Sequence, residues 1–130
     1  MAVTHSTAAR NAATDAVTAL IGVSGSLVFR ISPSTVAAPG TAVATLPLSA
    51  TAFGAASTGT ATANAITTDT SAAGNASAVA FATLQTSGGT VVIQCAVAAS
   101  GSDINMTNGL TVAAGDTVSC SSLTYTALSA

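Results

Sequence analysis

One histidine, two cysteines, two arginines and four aspartates are the whole stock of imidazole, thiol and charged side chains in 130 residues. There is no Lys, no Glu and no Trp. Acid–base and nucleophilic catalysis both need such groups gathered around one reacting centre. A Ser-His-Asp triad would have to run through His5, which sits in the N-terminal segment, where solvation is expected. Gly22-Val23-Ser24-Gly25-Ser26 approaches the nucleophile-elbow pattern but lacks its second glycine. It also follows a helical pattern, whereas the motif needs a strand-to-helix turn. It reads as a loop.

Metal chemistry fares no better. Structural zinc takes four ligands, and one His with two strand-borne Cys cannot close that site. Asp103-Ile104-Asn105-Met106-Thr107-Asn108-Gly109 sets oxygens at alternate positions, as a calcium loop does. Its glycine comes one residue late, and Ala114 stands where a bidentate Glu is required. An ordinary polar turn is expected there. Asp69 and Asp116 fall in loops, and nothing in their spacing favours an ion between subunits. Tyr125 alone makes a poor sugar-stacking platform, and Thr60 and Thr62 are too few for an ice-ordering array. Cys95 and Cys120 read as two buried thiols, with a bond left open should they fall on neighbouring strands. The expectation is no catalytic residue, no metal, no cofactor and no small-molecule substrate, hence no enzyme.

The charge balance narrows the partners. The formal net charge is -2, and only Arg10 and Arg30 are cationic. Neutralising phosphates takes clustered Lys and Arg, so nucleic acid and anionic membranes are poor partners. No run approaches the roughly 18 apolar residues of a membrane span. The opening MAVTHSTAARNAATDA lacks the basic head and apolar core of a secretory leader, so none is expected. With no leader, the sequons at Asn75 and Asn105 carry no weight. A mean hydropathy of +0.67 on so few charges describes an apolar chain built of small residues. Such a surface lacks the edge lysines that block strand addition, and near-zero charge promotes association. A life in an assembly is expected.

The elements that would position these residues follow from periodicity. Residues 6–21 are Ala-rich, with Ala9, Ala13 (or Ala12), Ala16, Val17, Leu20 and Ile21 on one side at helical spacing. Ser6 or Thr7 caps the start and Gly22 ends it. A face made mostly of Ala suits close packing on a partner. From Gly22 the period becomes two. SLVFRIS aligns Leu27, Phe29 and Ile31, and AVATLPLS aligns Ala44, Leu46 and Leu48, with Pro47 marking an edge or a bulge. Residues 32–41 hold Pro33, Pro39 and Gly40 and read as a loop. SAVAFATLQ and GTVVIQCAVAA form a hairpin around residues 87–89. Leu110 and Val112 alternate, and TVSCSSLTYTAL predicts a last strand with a bulge near Ser121. Residues 58–68 read as a strand with Thr60, Thr62, Asn64 and Ile66 on one face and Ala61, Ala63 and Ala65 on the other, followed by a loop over 67–76.

One helix and seven or eight short strands predict a single domain over residues 1–130. It divides into an N-terminal arm and helix (1–22) and a β body (23–130). The class is all-β, an antiparallel β-sandwich of jelly-roll type with a short N-terminal α-helix. The association surfaces expected are Ala9, Ala13, Ala16, Val17 and Leu20 on the helix and Ala61, Ala63 and Ala65 on the strand.

ATLPLSATAFGAASTGTATANAITTDTSA (44–72), GSDINM (101–106) and LTVAAGDTVSCSSLTYT (110–126) resemble a group of small tailed-bacteriophage virion proteins. In that group an Ala-rich helix precedes a β-rich body, and THSTAARNAATDAV fits the same pattern. The likeness covers nearly all of the chain except roughly residues 32–43, and it brings no catalytic or metal-binding motif. It implies a phage structural component of the head-decoration (cement) type, with a jelly-roll-like or β-tulip body. Such proteins are assembled in the host cytoplasm and sit as trimers on the outer shell, bound to the major capsid protein. A tail or head-fibre component contacting the host surface is the alternative.

Overall fold

Ser6 begins the ordered architecture. In the computed structural model, which describes residues 3–130, its hydroxyl accepts from the Ala9 N–H at 3.1 Å and opens helix α1, Thr7–Ala19. Ala in the middle of the helix supplies propensity, and Gly22 at φ +70 ends it. Both ends lie close to where the sequence puts them.

Seven strands follow: β1 Ser26–Ile31, β2 Ala42–Pro47, β3 Thr60–Thr62, β4 Val79–Gln85, β5 Val91–Ala98, β6 Ile104–Asn105 and β7 Thr124–Thr126. Five form one sheet in the order β2-β1-β4-β5-β6, and β3 pairs with β7 in a two-stranded ribbon. All the sheet pairings are antiparallel except β5 with β6. The fold is therefore mostly β with one short helix. The β4–β5 hairpin closes as predicted, with the Thr86 N–H donating to Thr90 O and the Gly89 N–H to Thr86 O. Pro47, which has no N–H to donate, ends β2 at the sheet's edge.

One face of the sheet carries the core. Leu27, Phe29, Ala44, Leu46, Ala82, Leu84 and Val97 are buried there, in one cluster with Phe53, Ala61, Val112 and Val118. The opposite face is covered too. Residues 32–41 fold back over it, where Ser34 Oγ donates to Gln94 Oε1 at 2.8 Å and Gln94 Nε2 returns a bond to Ser34 O. Val28 and Thr83 lie on this face, also buried, which is why period-two alternation does not show up as alternating exposure along β1.

Three strand expectations shorten. Of residues 58–68 only Thr60–Thr62 is strand. The alternation breaks because Ala65 turns outward while Ile66 packs on the core. Residues 110–112 form no named strand, although Leu110 O and Val112 O accept from the Val79 and Asn75 N–H groups. The final strand keeps only Thr124–Thr126 and a bridge at Val118 to Asp69.

The expectation of an open sheet edge is corrected at β2. Residues 66–74 run along it: the Thr67 N–H donates to Pro47 O, the Thr45 N–H to Asp69 Oδ2 at 2.9 Å, and the Gly74 N–H to Val43 O. A carboxylate and a loop do here what lysines do elsewhere.

Candidate functional site

The charged groups are committed to partners within the chain, most of them backbone. Asp15 Oδ1 accepts from the Ala56 N–H, Asp69 from Thr45 and Ser71, Asp103 from Ala96, and Asp116 from Ala113, at 2.8–3.0 Å. Arg30 donates to Gly40 O, Thr83 Oγ1 and Gln85 Oε1, and burial lowers its pKa from the ordinary value. His5 Nδ1 lies 2.7 Å from Ala130 O. Among the described residues no three His, Cys, Asp or Glu side chains gather where they could hold a metal ion. Each of these carboxylates caps backbone amides of its own chain.

The helix docks by the wrong side for an amphipathic reading. Thr14 and Thr18 are its buried residues. Thr14 Oγ1 donates to Gly59 O at 2.6 Å and accepts from the Ala127 N–H at 3.1 Å. Asn11 Oδ1 accepts from the Gly59 N–H at 2.7 Å, while Arg10 donates to Thr58 O and Leu128 O. Gly59, at φ +85, holds a backbone conformation that other residues rarely adopt, and a Cβ there would stand 2.9 Å from the Arg10 guanidinium and push it aside. The underside is thus a polar stripe, with residues 10, 14 and 18 spaced by four and residues 11 and 15 beside them.

The predicted interface residues separate accordingly. Ala9, Ala16 and Leu20 are exposed, joined on the same outer face by Ala8, Ala12 and Ala19, while Ala13 and Val17 are half-buried. Leu20 is 65% exposed, and Val3 and Val23 flank the helix at 70% and 68%. On the strand, Ala65 is exposed and Ala63 half-buried. Ala61 is corrected: at 0% exposure it belongs to the chain's own core, beyond a partner's reach. Ile21, placed on the apolar helix side by spacing, is likewise core at 1%. Sequence reasoning missed Arg10, Asn11, Thr14, Asp15 and Thr18 as the docking set. The four-residue spacing of their polar side chains was the available signal.

A cleft of about 550 Å³ opens at the far end of the sheet. Residues 103–109, including β6, form one wall and residues 118–124 the other, with Phe29 at the floor. Ile104, Met106 and Leu123 pack against the core cluster, so the floor is apolar while hydroxyls and amides form the rim. Cys120 lines this cleft, its Sγ donating to Ser122 O and its pKa raised by burial. Cys95 is on β5, with its thiol directed at Ala82 O. Burial, and then the Asp103 charge, push it up to about 11. Both cysteines are free. A smaller groove of about 310 Å³ lies between the helix end at Ala19 and Gly22 and residues 50–55. No helix among the described residues is long and apolar enough to cross a membrane.

No family model matches this chain, and neither a curated protein nor a solved structure shows significant similarity to it.

Proposed function

We propose that this chain is a non-enzymatic bacteriophage decoration (cement) protein. It binds the outside of the head and stabilises contacts between major capsid subunits, acting as a trimer. One observation carries the reading. The polar underside of α1 is locked to the backbone at residues 58–59 and 127–128, and an uncharged Ala/Leu face is thereby held outward. The helix needs that face neither for its own docking nor, being bare of charge, for hydration. The likeness of the 44–72, 101–106 and 110–126 phrases to small virion proteins supports the same conclusion. On this reading the five-stranded sheet and the β3–β7 ribbon are two layers of a jelly-roll-like sandwich, sharing the core that joins Leu27 and Leu46 to Ala61.

Binding the assembled shell but not its free subunits stabilises the shell by mass action. The contact is apolar and backbone-mediated, because the ionic groups are engaged internally. Purified heads carrying the protein should therefore keep it as NaCl rises to about 1 M, where ion pairs are screened within about 3 Å. Release at moderate salt would refute an apolar interface. The cleft, with its hydroxyl and amide rim, favours a second reading as a tail or head-fibre component that meets the host surface. Copy number separates the two: hundreds of copies per particle for a cement protein, tens or fewer for a tail part.

A further inference from the structure

The two edges of the five-stranded sheet are treated differently. At β2 the outward backbone groups are taken up by residues 66–74. At the other end β6 is the last strand, and its outer side lines the 550 Å³ cleft. Across that cleft, residues 119–122 make no backbone–backbone hydrogen bond among the described residues, and neither do residues 107–109. Apart from Ser122 O, which accepts from Cys120 Sγ, both walls therefore offer backbone N–H and C=O groups open to a partner, above an apolar floor of Phe29, Ile104 and Leu123. One wall is lined by the short residues Ser119, Cys120, Ser121 and Ser122, and the other combines Thr107 and Gly109 with the longer Asn105, Met106 and Asn108. The lone acid of the cleft, Asp103, already accepts from the Ala96 N–H.

We propose that the cleft between β6 and residues 119–122 receives an extended, uncharged segment of another protein chain, which adds to the sheet as a strand. Exposed backbone that lacks chain partners on two facing walls is matched by backbone, which offers donors and acceptors on both sides at strand spacing. The short residues of the 119–122 wall let that backbone approach, and the apolar floor takes one or two of its inward side chains. Asp103 is the cleft's single charge, one of its oxygens is taken by the Ala96 N–H, and no cation lines the walls, so an anionic occupant is disfavoured and a neutral one fits. The identity of the occupant, a coat-protein segment, rests on the decoration reading.

Cys120 reports occupancy because it lines the cleft, and Cys95, tied to Ala82 O within the sheet, serves as the internal control. The full chain is added to heads assembled without it. Alkylation of Cys120 by iodoacetamide and amide exchange at residues 119–122 are then followed in the free and head-bound protein. Both should slow by about tenfold or more on binding, while Cys95 changes little. Ser121→Pro, which removes an N–H from the wall, and Ser121→Arg, which fills the cleft, should each weaken head binding with the thermal midpoint of the free chain unchanged. Binding to heads with Cys120 and residues 119–122 as reactive as before overturns the strand-addition proposal and leaves the decoration reading standing. Failure to bind heads at all overturns that reading, and the coat segment as occupant with it. Protection that grows with concentration in the free protein overturns the coat segment in favour of a second copy of this chain.

Discussion

Thr14→Val removes one oxygen from the interface that holds the helix. The two side chains are nearly the same shape, so packing is kept and the hydroxyl alone is lost. Two partners are then orphaned: the buried Gly59 O, which accepts at 2.6 Å, and the half-buried Ala127 N–H, which donates at 3.1 Å. A buried unsatisfied group costs about 1–3 kcal/mol and the half-buried N–H less, so the substitution should destabilise by about 2–4 kcal/mol. That is a large share of the roughly 5–15 kcal/mol that holds a domain folded. Thr14→Ser makes the converse change. It keeps both bonds and gives up one methyl, for about 1 kcal/mol.

Urea denaturation of both variants decides between hydrogen bonding and apolar burial. With m near 1–3 kcal/mol/M, the Val variant should lose about 1–2 M in its midpoint, and the Ser variant less than half of that. Amide exchange at residues 7–19 should accelerate in the Val variant first, since a helix released from the body frays locally before the sheet opens. If the Val variant proves as stable as the Ser variant, the helix is held by burial of its aliphatic atoms and the account of its polar underside is wrong.

Cys95 should make stability fall in alkali. Its thiol is raised from 9.0 to about 11 in the fold, so above pH 9 the native state binds more protons than the unfolded chain and stability declines as pH rises toward 11. Discounted for partial exposure, the loss from Cys95 is about 1–2 kcal/mol, and Cys95→Ala should flatten the alkaline slope of urea midpoints measured under reducing conditions, leaving the share that the raised Cys120 thiol contributes. Ala61→Leu places three more carbons in a site of 0% exposure and should cost the isolated chain about 1–3 kcal/mol; an unchanged thermal midpoint would put Ala61 on a surface after all. Asp69→Ala strips the acceptor from the Thr45 and Ser71 N–H groups and loosens the cover on the β2 edge. Light scattering should then rise on storage, whereas Asp69→Asn, which keeps an acceptor oxygen, should aggregate less.

The parts of the fold that were legible in the sequence are those set by local chemistry. Ser6 and Gly22 bracket the helix, the glycines after Thr86 turn the hairpin, and Pro47 marks an edge, because each acts through residues within a few positions of itself. The tract at 53–78 shows where this stops. Its Thr/Ala alternation is real over residues 60–63, yet most of its second half is placed by distant partners: residues 66–74 take their geometry from β2 and from residues 112–118. Without regular hydrophobic spacing such a segment looks like a linker, although it seals one edge of the sheet. The last strand failed for a related reason. Residues 119–122 sit within the TVSCSSLTYTAL pattern but pair with no strand, and a local pattern cannot supply a partner.

The helix face was misread for a reason that bears on the candidate site itself. Amphipathic reasoning turns the apolar side inward because burying large side chains releases much free energy. Here the apolar side is Ala8, Ala9, Ala12, Ala16 and Ala19 with a single Leu, and each Ala contributes about one methyl, some 0.8 kcal/mol at most. Against it stand hydrogen bonds that Arg10 and Thr14 donate to, and Asn11 and Asp15 accept from, backbone groups more than forty residues away, several of them charge-assisted. When hydrophobic contrast is this weak, polar complementarity decides the orientation, and the complement lies where no local window can see it. The consequence is functional as much as structural. A helix that docks through its polar side must present its methyl side to whatever lies outside, so the same residues that fix the fold determine which surface is left for a partner.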